Sequence, residues 1–538
     1  MIDNKHTRTT VKASAGENWA EKRLDAFWAE QLQEHGVSRE RVKELIRQGL
    51  AAVNGVAQTK PNFRLAAGDE LVLELPDEGS TLEADPGELE ALYSDERVAV
   101  VHKPAGMTTH PAPSVDEPTL VNRLLHHFPK LAEMDGERPG VAHRLDKETS
   151  GVMVAALDEP ARLALSRAFA ERDTLKVYLA LLRGRPPEDH GRTEAPIGRD
   201  PRSKTRMAVQ RRNGRPAVSR WRTVAVSPDG RSSLVVVRIL TGRTHQIRVH
   251  MAHLGCPVAG DLLYGDPAGG PVPGRMMLHA LHLGFPHPES GDFLRFTAWP
   301  GEDFLRPLEE AFCAPLRLGL TGMPGCGKST LASRLAEAGV PVFNADAAVA
   351  ELYQPGGDGA HMLRARYGER FLDASGGVDK PALFQAMQGD DALRREVMRM
   401  VHPMVEARHE AFAAEHRAAD WIVSEVPLLI EGGWDRRGLV DVVAGVHAPE
   451  SLRKGDFARA RQTPPETLDV LDSWQYPEEV KLKACQLAVE NAGDLEELDQ
   501  RARALQGVAD WIVDRRRRRR MRGIMDGVRA GLEELTAS

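Results

Sequence analysis

The 538-residue chain is short of aromatic residues, at 5%, and holds four cysteines, Cys256, Cys313, Cys326 and Cys485, with no CxxC pairing. That count and spacing exclude a disulfide scaffold and a structural zinc module, and they fit a reducing cytosol. Positive charge is also lacking: 71 Lys and Arg stand against 78 Asp and Glu, for a net charge of −7. Contact with nucleic acid therefore has to come from local clusters of Lys and Arg. No uninterrupted apolar run reaches the roughly 18 residues of a membrane span. The first twenty residues, MIDNKHTRTTVKASAGENWA, have no apolar stretch of signal-peptide length. The expectation is a cytoplasmic protein with no membrane partner. What is present is an ordinary globular composition, 42% hydrophobic and 28% charged, at a length that implies three or four domains.

Residues 1–18 are polar and patternless, and read as a disordered tail. A small unit over 19–80 follows. In it Ser38 is a candidate N-cap for a helix to Gln48 with Val42, Leu45 and Ile46 as its buried stripe. Asn54-Gly55 predicts a tight hairpin, and Gly68-Asp69-Glu70 precedes a strand over Leu71–Leu75. A larger domain of short strands and Gly/Pro turns spans 83–312. Cys313-Ala314-Pro315 is the only visible linker, so the third domain, 316–506, is expected to touch the second. Residues 507–538 form a basic amphipathic tail. The run Arg515–Arg520 and then Arg522 is followed by Met521, Ile524, Met525, Val528, Leu532 and Leu535 at helical spacing. Two readings stand: a terminal helix docked on the third domain with its arginines in solvent, or an arm that contacts RNA or phosphate.

In the second domain, Gly140-Val141-Ala142-His143-Arg144-Leu145-Asp146-Lys147-Glu148-Thr149-Ser150-Gly151 places Asp146 on a connection at the lip of a sheet. Alone, an Asp between Arg and Lys is a surface turn. Three further pieces follow in order: Leu175–Leu181 with Tyr178, Thr241–His250 with Arg248, and Arg275–Ala280. Together they resemble the RNA pseudouridine synthase family that modifies ribosomal and transfer RNA, over about residues 20–312. The leading unit, with Arg23-Leu24-Asp25, Ser38-Arg39, Val53-Asn54-Gly55 and Gly68-Asp69, resembles the alpha-L RNA-binding motif. The resemblance implies an α+β catalytic domain with a mixed or antiparallel sheet, acting on structured RNA and not on DNA. Asp146 is then the nucleophilic carboxylate, and Tyr178 stacks on the base and accepts a proton. Arg248 ion-pairs with Asp146, and Arg144 fills the space left by the flipped nucleotide. The chemistry suits these residue types, because a carboxylate must stay ionised and aimed, which a guanidinium fork favours. His143, His245 and His250 have no carboxylate or cysteine at metal-ligand spacing, and no cofactor is expected for this half.

In the third domain the strand Leu316–Leu320 feeds Gly322-Met323-Pro324-Gly325-Cys326-Gly327-Lys328-Ser329-Thr330, which fits GxxxxGK[ST], and a helix follows. Backbone N–H groups of such a loop cradle phosphates, Lys328 reaches the β- and γ-phosphates of ATP, and Ser329 helps hold Mg²⁺. Asn344-Ala345-Asp346, Val401-His402-Pro403, Pro427–Glu431, Gln475 and Asn491-Ala492-Gly493 then follow. Over about 316–506 this set resembles dephospho-coenzyme A kinase, which implies a parallel α/β P-loop fold with a helical lid. By that resemblance, ATP and dephospho-coenzyme A are the substrates, Asp346 takes the proton of the ribose 3′-hydroxyl, and Arg459 neutralises the transferring phosphate. Two departures stand out. Asn344 replaces the family's usual Asp. Gly455 replaces a lid arginine, for which Arg453, Lys454 or Arg461 could substitute. Cys326 sits where a small residue is common, either as a filler or as a thiol acidified by the helix N-terminus. The chain as a whole reads as a multidomain α/β bifunctional enzyme; the alternative is an active synthase fused to a catalytically weakened nucleotide-binding module.

Overall fold

The structure is a computed structural model that describes residues 8–32, 37, 39–76, 82–111, 117–134, 138–203, 205–265, 274–454 and 465–537. Its chain forms two compact units, residues 1–176 with 280–298, and residues 177–279 with 299–538.

The first unit begins with a four-stranded antiparallel sheet of order β1-β4-β2-β3, made of β1 (Arg8–Ser14), β2 (Ala51–Val53), β3 (Val56–Gln58) and β4 (Glu70–Pro76). Residues 8–14, expected to be part of a disordered tail, are thus a strand. Val11 pairs with Leu73 and Ala13 with Leu71, and both pack on the small core. A short alternating segment next to a sheet edge gains its order from that pairing, which local composition does not reveal. The helix Arg39–Arg47 buries Val42, Leu45 and Ile46 as expected; Ser38 lies outside the described residues. Asn54 (φ 50°) and Gly55 (φ 77°) make the tight turn between β2 and β3.

Next come β5 (Glu90–Ser94), β6 (Val98–Lys103) and β7 (Ser150–Ala156), paired antiparallel in that order. Strand β7 is buried along its whole length. Its Gly151, at φ 120°, runs so close to Ala280 that a Cβ would lie 2.2 Å from the Ala280 carbonyl oxygen.

In the second unit, β8 (Leu175–Arg183), β9 (His190–Thr193), β10 (Ile197–Arg199), β11 (Met207–Val209), β12 (Ser219–Val226) and β13 (Ser232–Ile239) follow. Strand β13 pairs antiparallel with β8 and with β12, and β12 with β9. The strands β14 (Leu278–Pro286) and β15 (Phe293–Thr297) form an antiparallel hairpin that lies, from Ala280 onward, in the first unit. The synthase-like region is accordingly α+β with an antiparallel sheet.

The third domain is a parallel sheet of order β17-β18-β16-β19-β20, with β16 (Leu316–Thr321), β17 (Val342–Asn344), β18 (Trp421–Glu425), β19 (Val442–His447) and β20 (Leu487–Glu490). Its central strands β16, β18 and β19 are buried along most of their length, as in parallel sheets covered on both faces. Gly455 and Arg459, on the expected lid, lie outside the described residues.

The C-terminal segment is one 43-residue helix, Leu495–Ala537. Its first half does what the docked-helix reading expected: Leu498, Ala502, Leu505, Ala509 and Val513 join the core of the parallel sheet. Its second half does not stay on that domain. Gly527 lies against Val224 and Gly531 against Val236, Arg222 pairs with Glu534 at 2.5 Å, and Arg238 donates to the Leu535 carbonyl at 2.7 Å. The helix therefore covers one face of β12 and β13. Tyr178 is cross-strand partner to Val237, one residue beyond Val236, so it projects from the opposite face. No helix among the described residues is long and apolar enough to cross a membrane.

Candidate active sites

Asp146 sits half-buried on the loop that leads into β7. Its neighbours on both sides are tied down. Thr109 Oγ1 donates to the Leu145 carbonyl at 2.9 Å. Lys103, fully buried at the end of β6, donates to the carbonyls of Lys147 (3.1 Å), Pro104 (2.8 Å) and Met107 (2.8 Å). A buried ammonium is tolerable only with such partners, and here they hold two loops in register. Arg144 is exposed. His143 is a packing residue: its Nε2 accepts from the Val154 N–H at 3.1 Å and its ring stacks on Phe169 at 4.3 Å. Burial, aided by the charge of Lys176, pushes its imidazole down to about 3. Burial and Arg172 likewise push the Lys176 ammonium, 5.4 Å over the same Phe169 ring, down to about 8.

In the second unit, Tyr178 is half-buried on β8. Arg248 lies on the helix Gln246–His253, which is buried from Gln246 to Met251. Its guanidinium donates to both oxygens of Asp261, at 2.7 and 2.9 Å, and lies 5.0 Å over the Tyr264 ring. Burial alone would raise the Asp261 carboxyl; Arg248 and the N–H groups of Tyr264 and Leu263 outweigh it and hold the carboxyl below its usual range. His245, in the left-handed region at φ 57°, is fixed by the Tyr264 hydroxyl at 2.8 Å. His250 is bonded to Ser219 and to the Ala195 carbonyl. Sequence reasoning missed Lys103, Asp261 and Tyr264. A lysine closing the apolar run Val98–Val101 was a usable signal for the first; nothing local marks Asp261, which meets Arg248 across a turn.

The P-loop domain gathers its groups at the carboxyl ends of β16, β17 and β18, where such sheets bind ligands. Gly322, Gly325 and Gly327 take φ of 148°, 78° and 92°, which a side chain would oppose. Lys328 is buried, its Nζ donating to the carbonyls of Gly322 (2.8 Å) and Met323 (3.0 Å). Ser329 Oγ donates to Glu425 at 2.5 Å, and Asn344 Nδ2 donates to the other Glu425 oxygen at 2.7 Å. Asn344 Oδ1 meanwhile caps the helix Ala345–Leu352 by accepting from the Ala347 N–H. Asp346 is exposed on the first turn of that helix. Cys326 is completely buried in the core, as a filler would be. Asn491 Nδ2 donates to the Cys326 carbonyl at 3.0 Å, which ties β20 to the loop.

Pro324, Gly325, Gly327, Lys328, Ser329, Thr330, Asp346, Glu425, Gln475 and Asn491 are among the residues around a cavity of about 860 Å³. A side cavity of about 140 Å³ adjoins Asp346, His402 and Trp434. Lys481, fully buried, donates to Gln475 at 2.6 Å and to the Pro427 carbonyl at 2.8 Å, and pairs with Glu431 at 3.1 Å. Neither lid neighbour of Gly455 is idle: Arg453 donates to the Pro324 carbonyl and pairs with Asp472, and Lys454 pairs with Glu450 and Asp469. Glu425 was the main residue missed; an acid closing a buried strand was its signal. A hydroxyl and a carboxylate beside a phosphate cradle are the donor set that fits a divalent cation.

Comparison with known proteins assigns two stretches of the chain to families. Residues 97–253 match the family model for RNA pseudouridylate synthase, and residues 316–497 that for dephospho-CoA kinase. An uncharacterized RNA pseudouridine synthase of Aquifex aeolicus is 40% identical over 295 residues, 53% of this chain and 92% of that protein. A second, from Bacillus subtilis, is 37% identical over 56% of this chain and 97% of its own length. The ribosomal large subunit pseudouridine synthase D of Neisseria meningitidis is 38% identical over 51% of this chain and 75% of its own.

Proposed function

Because the chain belongs to the RNA pseudouridine synthase family and carries a dephospho-coenzyme A kinase domain, we propose that one cytoplasmic polypeptide performs both reactions. The first is isomerisation of a uridine in structured ribosomal or transfer RNA. The bond between uracil N1 and ribose C1′ breaks, the base turns, and a bond from C5 to C1′ forms. The C5 proton leaves and N1 gains one. Asp146 is the attacking carboxylate, Tyr178 stacks on the extruded base and receives a proton, Arg248 keeps the carboxylate ionised, and Arg144 takes the vacated place in the RNA. Extruding the base costs a few kcal/mol, part of which aromatic stacking recovers. The observation that carries this reading is the bracing of the Asp146 loop by Lys103 and Thr109, whose bonds to the Lys147 and Leu145 carbonyls fix the backbone on both sides of Asp146.

The second reaction moves the γ-phosphoryl group of ATP to the 3′-hydroxyl of dephospho-coenzyme A. The bond to ADP breaks, a new phosphate ester forms, and Asp346 takes the hydroxyl proton. The P-loop N–H groups and Lys328 grip phosphate, and Arg459 neutralises the group in flight. Ser329 and Glu425 are the residues that would hold Mg²⁺, which supplies charge neutralisation at the phosphates. The convergence of Lys328, Ser329, Glu425 and Asp346 on one cavity carries this reading.

The purified chain tests both. Asp146→Asn should abolish tritium release from 5-tritiated uridine in RNA while RNA affinity stays within about tenfold, since phosphate contacts dominate binding. Residual isomerisation by the pure variant sinks the nucleophile assignment. For the kinase, the wild type should phosphorylate dephospho-coenzyme A, and Gly455→Arg should raise turnover by restoring a donor. If the wild type, Gly455→Arg and Asn344→Asp proteins all bind ATP and none transfers phosphate, this half is a nucleotide-binding module.

A further inference from the structure

The C-terminal helix is anchored at both ends of its length, through Leu498–Val513 on the parallel sheet and through Gly527, Gly531 and Leu535 on β12 and β13. Between the anchors it carries Arg515–Arg520 and Arg522, all exposed except the half-buried Arg517. Some of these charges are matched within the fold. Arg516 pairs with Asp441 at 3.1 Å, Arg517 with Asp420 at 2.5 Å and Arg518 with Asp514 at 2.6 Å, and Arg515 lies 5.3 Å over the Trp511 ring. Arg519, Arg520 and Arg522 meet no carboxylate among the described residues.

Such a run is unfavourable for a helix by itself. Arg515 and Arg519, Arg516 and Arg520, and Arg518 and Arg522 stand four apart as like-charged neighbours, and each such pair weakens the helix. Solubility does not require it, because alternating Glu and Lys would solvate the same face. In a chain of net charge −7, a rigidly held row of arginines is instead a concentrated site for a polyanion. The guanidinium fork grips phosphate oxygens in pairs. Because both docked halves keep the helix ordered, no folding cost opposes binding.

We propose that Arg519, Arg520 and Arg522, with Arg515 and Arg518 beside them, bind backbone phosphates of the RNA substrate and make the C-terminal helix an RNA-contacting surface. The proposal rests on the RNA-modifying reading above. The helix lies behind the sheet face that bears Tyr178, so it contacts RNA flanking the target uridine and not the target itself. It grips phosphates and carries no sequence preference.

The test uses the full chain and purified large-subunit ribosomal RNA, with affinity measured across a salt series. A triple R519E/R520E/R522E protein should bind at least tenfold more weakly, with the slope of log K against log salt shallower by about 2, as expected for about three lost phosphate contacts. A triple arginine-to-lysine protein should stay within about threefold of wild type. A triple arginine-to-glutamine protein, which should also lose slope, replaces the glutamate protein if that one does not fold. Kinase turnover should be unchanged in all three. An unchanged slope in the glutamate and glutamine proteins, while the wild type binds and isomerises RNA, overturns the proposal. So does a loss confined to binding of vesicles containing phosphatidylserine, which would assign the arginines to an anionic membrane surface. A wild type that neither binds nor modifies RNA overturns this proposal and the synthase reading together, whereas an unchanged slope spares the latter.

Discussion

Arg248 and Asp261 are held out of water, with side-chain exposures of 11% and 0%. Removing one partner of such a pair leaves a buried charge and typically costs about 3–5 kcal/mol. Asp261→Asn keeps the shape and drops the charge. It should lower synthase turnover more than tenfold with little change in RNA affinity, read by single-turnover tritium release. The pH dependence follows from the depressed carboxyl. The pair's contribution is in force above the unfolded carboxylate value of about 3.9 and is lost as pH falls through the lower folded value. The wild type should therefore hold this stability down to about pH 4, and the difference between wild type and variant should shrink below it in denaturant titrations. Lys176 has the opposite sign. Its ammonium titrates at about 8 in the fold and near 10.4 in the unfolded chain, so between those values only the unfolded chain binds the proton. Stability rises with pH across that window. Lys176→Met should then be more stable than wild type at pH 7, on the order of 3 kcal/mol, with the gap closing toward pH 10. A gap independent of pH would mean that Lys176 is not desolvated.

At the scale of elements, β7 is placed by a glycine. At Gly151 the backbone has φ 120° and a Cβ would meet the Ala280 carbonyl at 2.2 Å, so Gly151→Ala incurs backbone strain and a backbone clash together. Its expected outcome is loss of pseudouridine formation with the kinase retained, checked by assaying both activities in the soluble fraction. The N-terminal sheet and the helices Leu24–Gln31 and Arg39–Arg47 form their own core, and Arg39, Arg41, Lys43 and Arg47 cluster on the second of them. Deleting residues 1–80 should weaken RNA binding and flatten its salt dependence. An unchanged slope would show that this element does not touch phosphate. The helix, the hairpin and β4 were legible because each is written in a contiguous pattern. Strand β1 was not, because its order comes from β4 more than fifty residues away.

For the molecule as a whole, the C-terminal helix joins the kinase sheet to β12 and β13, and Arg417 pairs with Asp229 at 3.6 Å in the same unit. The two enzyme domains thus share an element, although the groups proposed for the two reactions do not overlap. Truncation after Asp514 should leave the kinase core filled up to Val513 and bare Val224 and Val236. Thermal inactivation of pseudouridine formation should then come several degrees lower than in wild type, with kinase inactivation shifted less. Lys328→Ala, whose hydrogen bonds among the described residues stay within the P-loop, should abolish phosphate transfer and leave pseudouridine formation intact at ordinary temperature. Joint loss of both activities in the folded Lys328→Ala protein would show coupling through the shared helix.

The amino-acid sequence by itself determined the two families, because the segments around Asp146, Arg248 and Lys328 are contiguous motifs that fall within the matched regions or lead into them. It also determined the glycine turns and the apolar helix stripes, which obey local periodicity. What the tertiary structure alone decided is who holds those residues: Asp261 for Arg248, Lys103 for the Asp146 loop, Glu425 for Ser329 and Asn344, and β12 and β13 for the end of the C-terminal helix. Glu534 and Arg222 are 312 residues apart. No local propensity encodes such a pair; it forms only because apolar burial brings the two faces together and leaves complementary charges within reach.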